Sequence, residues 1–298
     1  MKFSLVLLFS FFTPALFAAT VSSVSGLEVK ATKMKVSDLD AEVSDIKLRT
    51  ASGAKSKFSS SLVIYYAGGS LEKPGSDRRP NVGNSLNPPP VSATGDLSVR
   101  YRMNKNESLY FGAGFYRARP LHSREGEQLE LNDPIIGYND TFAAADIELS
   151  SGFRLYIATT EYERVIGQVG VLGYSLSTMN AMGQSRFSAG VSLRAAVAAF
   201  DKDDASLKPR QRDYSIGISP SLQYNVSERV NVYTTLNILS YEHNRASRDF
   251  KFDSKPMTQS LGVGVAVLRD FYVAPYLAFE PDNMSSDKTS VNLTAMLN

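Results

Sequence analysis

His122 and His243 are the two histidines of a 298-residue chain that contains no cysteine. Nucleophilic or metal chemistry would have to begin at such side chains. Ser123 directly follows His122 in a densely charged stretch, and His243-Asn244 has Ser240 nearby. A Ser–His–acid triad needs its nucleophile, base and orienting group within hydrogen-bond reach of one another. Neither neighbourhood has a spacing that supplies all three, so both histidines are expected at the surface and no catalytic residue is assigned. The acidic run Asp201-Lys202-Asp203-Asp204 lacks the spacing of a calcium loop and reads as a solvated connection. No metal or cofactor is expected. The missing cysteine removes thiolate sites, disulfides and a lipid-bearing anchor together.

The ionisable residues that do fall into a pattern are Asp96, Arg100, Arg102, Arg154, Arg186 and Arg194. Each occupies the polar side of a segment in which polar and apolar residues alternate. An arginine excess along a narrow lumen attracts anions, as charged rings do in channels. The competing expectation is that these arginines pair with inward acids and fill the interior. Across the whole chain 32 Lys+Arg stand against 30 Asp+Glu, a net charge of +2. That balance offers no electrostatic footprint for nucleic acid.

The elements that must position these residues read as strands. In Asp96 to Met103 the odd positions Leu97, Val99, Tyr101 and Met103 are apolar, while the even positions are charged or hydroxyl. Tyr214, Ile216, Ile218, Leu222, Tyr224 and Val226 oppose Ser215, Gly217, Ser219, Ser221, Gln223 and Asn225. Phe187, Ala189, Val191, Leu193, Ala195 and Val197 alternate with Arg186, Ser188, Gly190, Ser192 and Arg194 in the same way. A period of two is the strand signature, because successive side chains point to opposite faces. Past the N-terminus no apolar run approaches the roughly 18 residues that a membrane helix needs.

A soluble sandwich alternates too. Three features favour a membrane barrel instead. The segments run about ten residues, the length of a tilted bilayer-spanning strand. Aromatics fall near segment ends, among them Tyr65, Tyr66, Tyr101, Tyr110, Phe111, Phe115, Tyr116, Tyr224, Phe271, Tyr272 and Phe279, as interfacial girdles require. Connections also come in two lengths. Short ones lie at Asn104 to Glu107, Glu148 to Gly152, Asn180 to Gln184, Asn225 to Arg229 and Leu268 to Asp270. Long polar ones lie at Gly68 to Val91, Ala118 to Gly137, Phe200 to Asp213, Asn244 to Lys255 and Glu280 to Lys288, with the shorter Glu161 to Val165 on the same side. Threading strands between them predicts the spans 57–67, 93–103, 108–118, 137–147, 152–161, 167–179, 185–199, 213–225, 229–242, 257–267, 271–279 and 288–298. The fold class is therefore all-β, an antiparallel transmembrane barrel of about 12 strands with a short N-terminal helical extension.

Residues 57–298 resemble Gram-negative outer-membrane β-barrel proteins of the small porin type. Such barrels commonly end in an aromatic residue, whereas this chain ends Ala295-Met296-Leu297-Asn298. Val291, Leu293, Ala295 and Leu297 keep the alternation, so a final strand is expected. The resemblance implies a bacterial outer-membrane location with both termini periplasmic. It also implies contact with lipid and lipopolysaccharide, and passage of small hydrophilic solutes rather than catalysis. Inward Gly112, Gly114, Gly190, Gly217, Gly262, Gly264 and Ala266 are expected to leave room for that passage. The alternative is a non-conducting structural or surface-display barrel whose outer loops bind a partner.

Ahead of the barrel, Met1-Lys2, the apolar Ser4 to Phe12, Pro14 and Leu16-Phe17-Ala18-Ala19 predict a cleaved signal peptide over residues 1–19. Residues 20–56 form a separate periplasmic extension. Val29, Val36, Leu39, Val43 and Ile46 recur at helical spacing, and Ser37 with Asp40 resembles a capping box. Three arrangements remain open: a helix on the barrel rim, a coiled coil forming a homotrimer through residues 29–50, and a plug in the lumen.

Overall fold

In the computed structural model the usual burial rule is inverted. Ser98 is 7% exposed while its neighbour Leu97 is 56% exposed. Along Phe187 to Phe200, Ser188, Ser192 and Arg194 are buried while Phe187, Val191 and Leu193 are exposed. Burying a Leu or Val side chain is worth about 1.5–3 kcal/mol when the alternative is water. A sheet that turns its leucines outward all the way round is therefore built to meet hydrocarbon. Among the described residues no helix is long and apolar enough to cross a membrane.

The structure describes residues 57–80, 82, 89–121, 129–144, 147–202, 204–246 and 253–298. The expected signal peptide, the helical extension with its trimer and plug arrangements, His122 and Asp203 all lie outside them. In chain order the strands are β1 (Phe58–Ser70), β2 (Ser92–Arg102), β3 (Glu107–Ala118), β4 (Glu130–Leu131), β5 (Ile135–Ala144) and β6 (Ile147–Ile157). The one-turn helix α1 (Glu161–Val165) follows. Then come β7 (Gln168–Ala181), β8 (Phe187–Phe200), β9 (Arg212–Asn225), β10 (Val230–Asn237), β11 (Leu239–Asn244), β12 (Asp253–Ser254), β13 (Thr258–Leu268), β14 (Phe271–Phe279) and β15 (Ser290–Leu297). With β10 and β11 acting as one interrupted strand, and β4 and β12 as two-residue additions in the loops, the sheet is a closed antiparallel barrel of 12 strands. β15 pairs back onto β1, from Leu62↔Leu297 to Ser70↔Ser290. Closure of this kind removes the free edge that lipid cannot satisfy.

The fifth and ninth spans depart from the sequence reading. The turn expected at Glu148 to Gly152 is strand, because Leu149, Ser150, Ser151 and Gly152 pair with Phe142, Thr141, Asp140 and Asn139. The fifth span thus covers Ile147–Ile157 rather than 152–161, and residues between β5 and β6 lie outside the described set. Ser-Ser-Gly favours turns locally, but a full partner strand overrides that preference. The ninth span is interrupted at Ile238, which donates its N–H to the Ile218 carbonyl at 3.2 Å between β10 and β11.

The outer face carries the aromatic pairs Phe58–Tyr101 and Phe187–Tyr224, with centroids 5.0 and 4.7 Å apart, both near the short-turn end. Other aromatics of the expected girdles turn inward: Tyr65 and Tyr272 are buried, and Tyr110 faces the interior beside Arg154. Proximity to a strand end does not set the face of a side chain; parity along the strand does.

Candidate functional site: the barrel lumen

The interior face of the barrel carries a continuous row of register partners. Arg100 on β2 pairs with Tyr110 on β3, Tyr110 with Gly137 on β5, and Gly137 with Arg154 on β6. Arg154 in turn pairs with Gly173 on β7. The two glycines leave Arg154 without side-chain neighbours in register on either flank. Its guanidinium lies over the Tyr110 ring, 5.5 Å from the centroid. It also donates a hydrogen bond to the Tyr156 hydroxyl. Stacking on an aromatic face while donating in plane is geometry that arginine supports and lysine does not.

Asp96, Tyr65 and Arg194 stand within the electrostatic reach of Arg154 or its tyrosine partners. Arg194 is buried on β8. Arg102 shares the parity of Arg100 but sits at the end of β2 beside the short turn, in register with Ser108. Arg186 is not in the lumen. It is exposed in the connection before β8, and its Nη1 donates to the Val226 carbonyl at 3.0 Å. The boundary of β8 explains this, since the strand begins at Phe187 rather than residue 185. The structure thus gathers Asp96, Arg100, Arg154 and Arg194 on the inner face and leaves Arg186 at the rim.

Arg79 completes the group, and strand periodicity had no means of finding it. The connection after β1 is itself folded. Arg78 bridges to Pro90, Arg79 donates its N–H to the Pro89 carbonyl at 3.0 Å, and Val91 donates to Asp77 at 3.1 Å. Arg119 closes the base, its Nε 3.6 Å from Asp77 Oδ2. Held this way, the Arg79 guanidinium has Tyr276 of β14 and Tyr116 of β3 as its electrostatic neighbours. Proline at 80 and an Arg-Arg pair mark a structured basic loop, but nothing in them tells whether it turns inward.

Opposite Arg154 the wall is aromatic. Tyr233, Tyr272, Ala274 and Met296 form a buried cluster, with Val63, Ala266 and Tyr276 packed against it. The expected room beside Gly262 and Gly264 is taken up by these rings. A Cβ on Gly262 would meet the Tyr233 hydroxyl at 2.6 Å and Tyr276 Cβ at 2.7 Å, and one on Gly264 would meet the Tyr272 ring Cζ at 2.5 Å. These glycines make room for tyrosines rather than for solute.

His243, expected at the surface, is buried. Its ring stacks on Tyr214 at 4.6 Å and its Nδ1 is 3.8 Å from Asp213 Oδ2. Ser240 and His243 lie an odd number of residues apart on β11, so their side chains leave opposite faces and form no nucleophile–base pair. Outside the spanning strands, Glu163 on α1 is buried against Asp133. Thr160 donates its hydroxyl to Glu163 and Gln168 Nε2 approaches it at 3.4 Å. Asp133 takes the N–H and hydroxyl of Thr159 at 2.7 and 3.1 Å. Burial first, and the Asp133 carboxyl second, push the Glu163 carboxyl up to about 7.

The fold defines the class. The chain is similar to the COG4313 outer membrane channel from Pseudomonas putida F1, with a TM-score of 0.55 at 15% identity, covering 80% of this chain and 94% of that one. A KdgM porin (TM-score 0.45, 9% identity) and a NanC porin (TM-score 0.47, 9% identity) each align over 80% of this chain and 98% of theirs. No protein-family profile and no curated protein matches the sequence. The chain has the porin-like fold of outer-membrane channel barrels.

Proposed function

We propose that the chain is a passive outer-membrane channel for small hydrophilic solutes with a modest preference for anions. It works by passage rather than catalysis and needs no cofactor. In this reading the short-turn end and both termini face the periplasm, and the apolar outer face meets lipid and lipopolysaccharide. The supporting observation is the pair of inward guanidiniums, Arg154 and Arg194, with Asp96 as the acid sharing their electrostatic surroundings. A guanidinium held in a low-dielectric wall attracts anions far more strongly than one in bulk water.

Planar-bilayer recording of the refolded chain in a salt gradient tests this. Discrete conductance steps with a reversal potential displaced toward that of chloride are expected, and replacing Arg100 and Arg194 with Ser should move it back. A conducting barrel with an unchanged reversal potential in that variant removes Arg100 and Arg194 from the selectivity. A folded barrel that never conducts removes the channel, and points to the outer loops as binding elements.

A further inference from the structure

We propose that the lumen holds a site for aromatic carboxylates, built from Arg154, Arg79 and the tyrosines between them; the site rests on the channel reading for its access. Two guanidinium Nε atoms, those of Arg154 and Arg79, are buried with no hydrogen-bond acceptor. The Nε–H and adjacent Nη–H edge of arginine is the one a carboxylate takes with two parallel bonds. On Arg154 the Tyr156 hydroxyl and the Tyr110 face are already engaged, which leaves the Nε edge oriented by both.

The space between the two guanidiniums is aromatic. Tyr276 is an electrostatic neighbour of Arg79 and of Tyr65, and Tyr65 is a neighbour of Arg154. β14, which carries Tyr276, and β6, which carries Arg154, are separated by five strands in either direction around the ring, so the two groups stand on opposed walls. Beside Tyr276 on the same inner face lies the cluster of Tyr272, Ala274 and Met296. A solute between β6 and β14 meets the Arg154 donors on one wall and, on the other, the Tyr276 ring with Arg79 beside it. An inorganic anion or acetate satisfies only the donors. A sugar acid brings a ring studded with hydroxyls, which gains less than an apolar ring from the Tyr276 face and the Ala274 and Met296 side chains beside it. A flat apolar ring bearing one carboxylate matches both walls.

The probe is sodium benzoate, with acetate and glucuronate as comparisons, added to the reconstituted chain while chloride current is recorded. Benzoate is expected to interrupt the current at a concentration at least ten-fold below that needed of acetate or glucuronate. Arg154→Gln, checked for heat-modifiable migration, should abolish that advantage. Equal potency of acetate reduces the site to a bare anion contact and overturns the proposal. Equal potency of glucuronate overturns it in favour of a pyranose acid, and a conducting barrel indifferent to benzoate overturns it outright. Should the chain not conduct at all, the channel reading falls by itself. Calorimetry of benzoate on the refolded protein then decides the site, and heats no larger than those of acetate overturn it.

Discussion

Arg154 reaches the face of Tyr110 across Gly137, the residue that lies in register between them. A side chain at 137 would stand in that path: its Cβ would meet the Phe153 carbonyl oxygen at 2.9 Å and Arg154 Cγ at 3.3 Å. Gly137→Val should therefore displace the guanidinium and strain the β5–β6 ladder. A loss of about 1–3 kcal/mol is expected, the usual cost of overfilling a packed site. Urea titration of the folded barrel in detergent measures it, and the same variant should show a weaker anion preference in bilayers.

Tyr272 fills the room beside Gly264 on the inner face of the barrel. Tyr272→Ala should raise single-channel conductance and lower stability by roughly 3–5 kcal/mol, as other buried aromatic truncations do. If conductance is unchanged, the narrowest point lies elsewhere.

Leu97 and Ser98 are adjacent yet face lipid and lumen respectively. Leu97→Arg should cost about 2–4 kcal/mol near the bilayer midplane, where a charge on the outer face of a barrel is least tolerated. Ser98→Arg should cost less and alter ion selectivity instead. Refolding yields into lipid vesicles separate the two, and similar losses in both would refute the assignment of faces.

Glu163 gives the connection between β6 and β7 a pH dependence. Its ordinary value is 4.5, and the fold raises it to about 7, so the folded state holds a proton that the unfolded chain releases. That contribution is complete below about 4.5 and is lost as pH rises through about 7. Tryptic nicking at the exposed Arg164 reads it locally. The rate for wild type relative to Glu163→Gln should rise steadily from pH 5.5 to 7 and level off above pH 8. A flat ratio would mean that Glu163 is already ionised at pH 6.

Much of the barrel is legible without any structure. The alternation of Leu261, Val263 and Val265 with Ser260, Gly262 and Gly264, or of Leu97 and Val99 with Asp96, Ser98 and Arg100, assigns faces directly. Short and long connections then yield twelve spans, each overlapping a strand of the structure. The candidate site is only partly legible. Asp96, Arg100, Arg154 and Arg194 follow from parity, because each sits well inside a strand. Arg186 sits at the rim because it lies just outside one, and Arg79 was out of reach because no periodicity runs through its loop.

What the sequence by itself determined was thus whatever depends on neighbours along the chain. Side chains two residues apart share a face however the strands pair, and a polar break ends a span whoever its partner is. What only the tertiary structure decided depends on residues far apart in sequence. The pairing of Ser150 with Thr141 drew an apparent turn into a strand. The meeting of Tyr276 with Arg79 needed β14 and the first long connection to converge. The filling of glycine notches by tyrosines from neighbouring strands followed from register across β10, β13 and β14. Closure of the ring fixes all three at once, and closure is a property of twelve strands together rather than of any one.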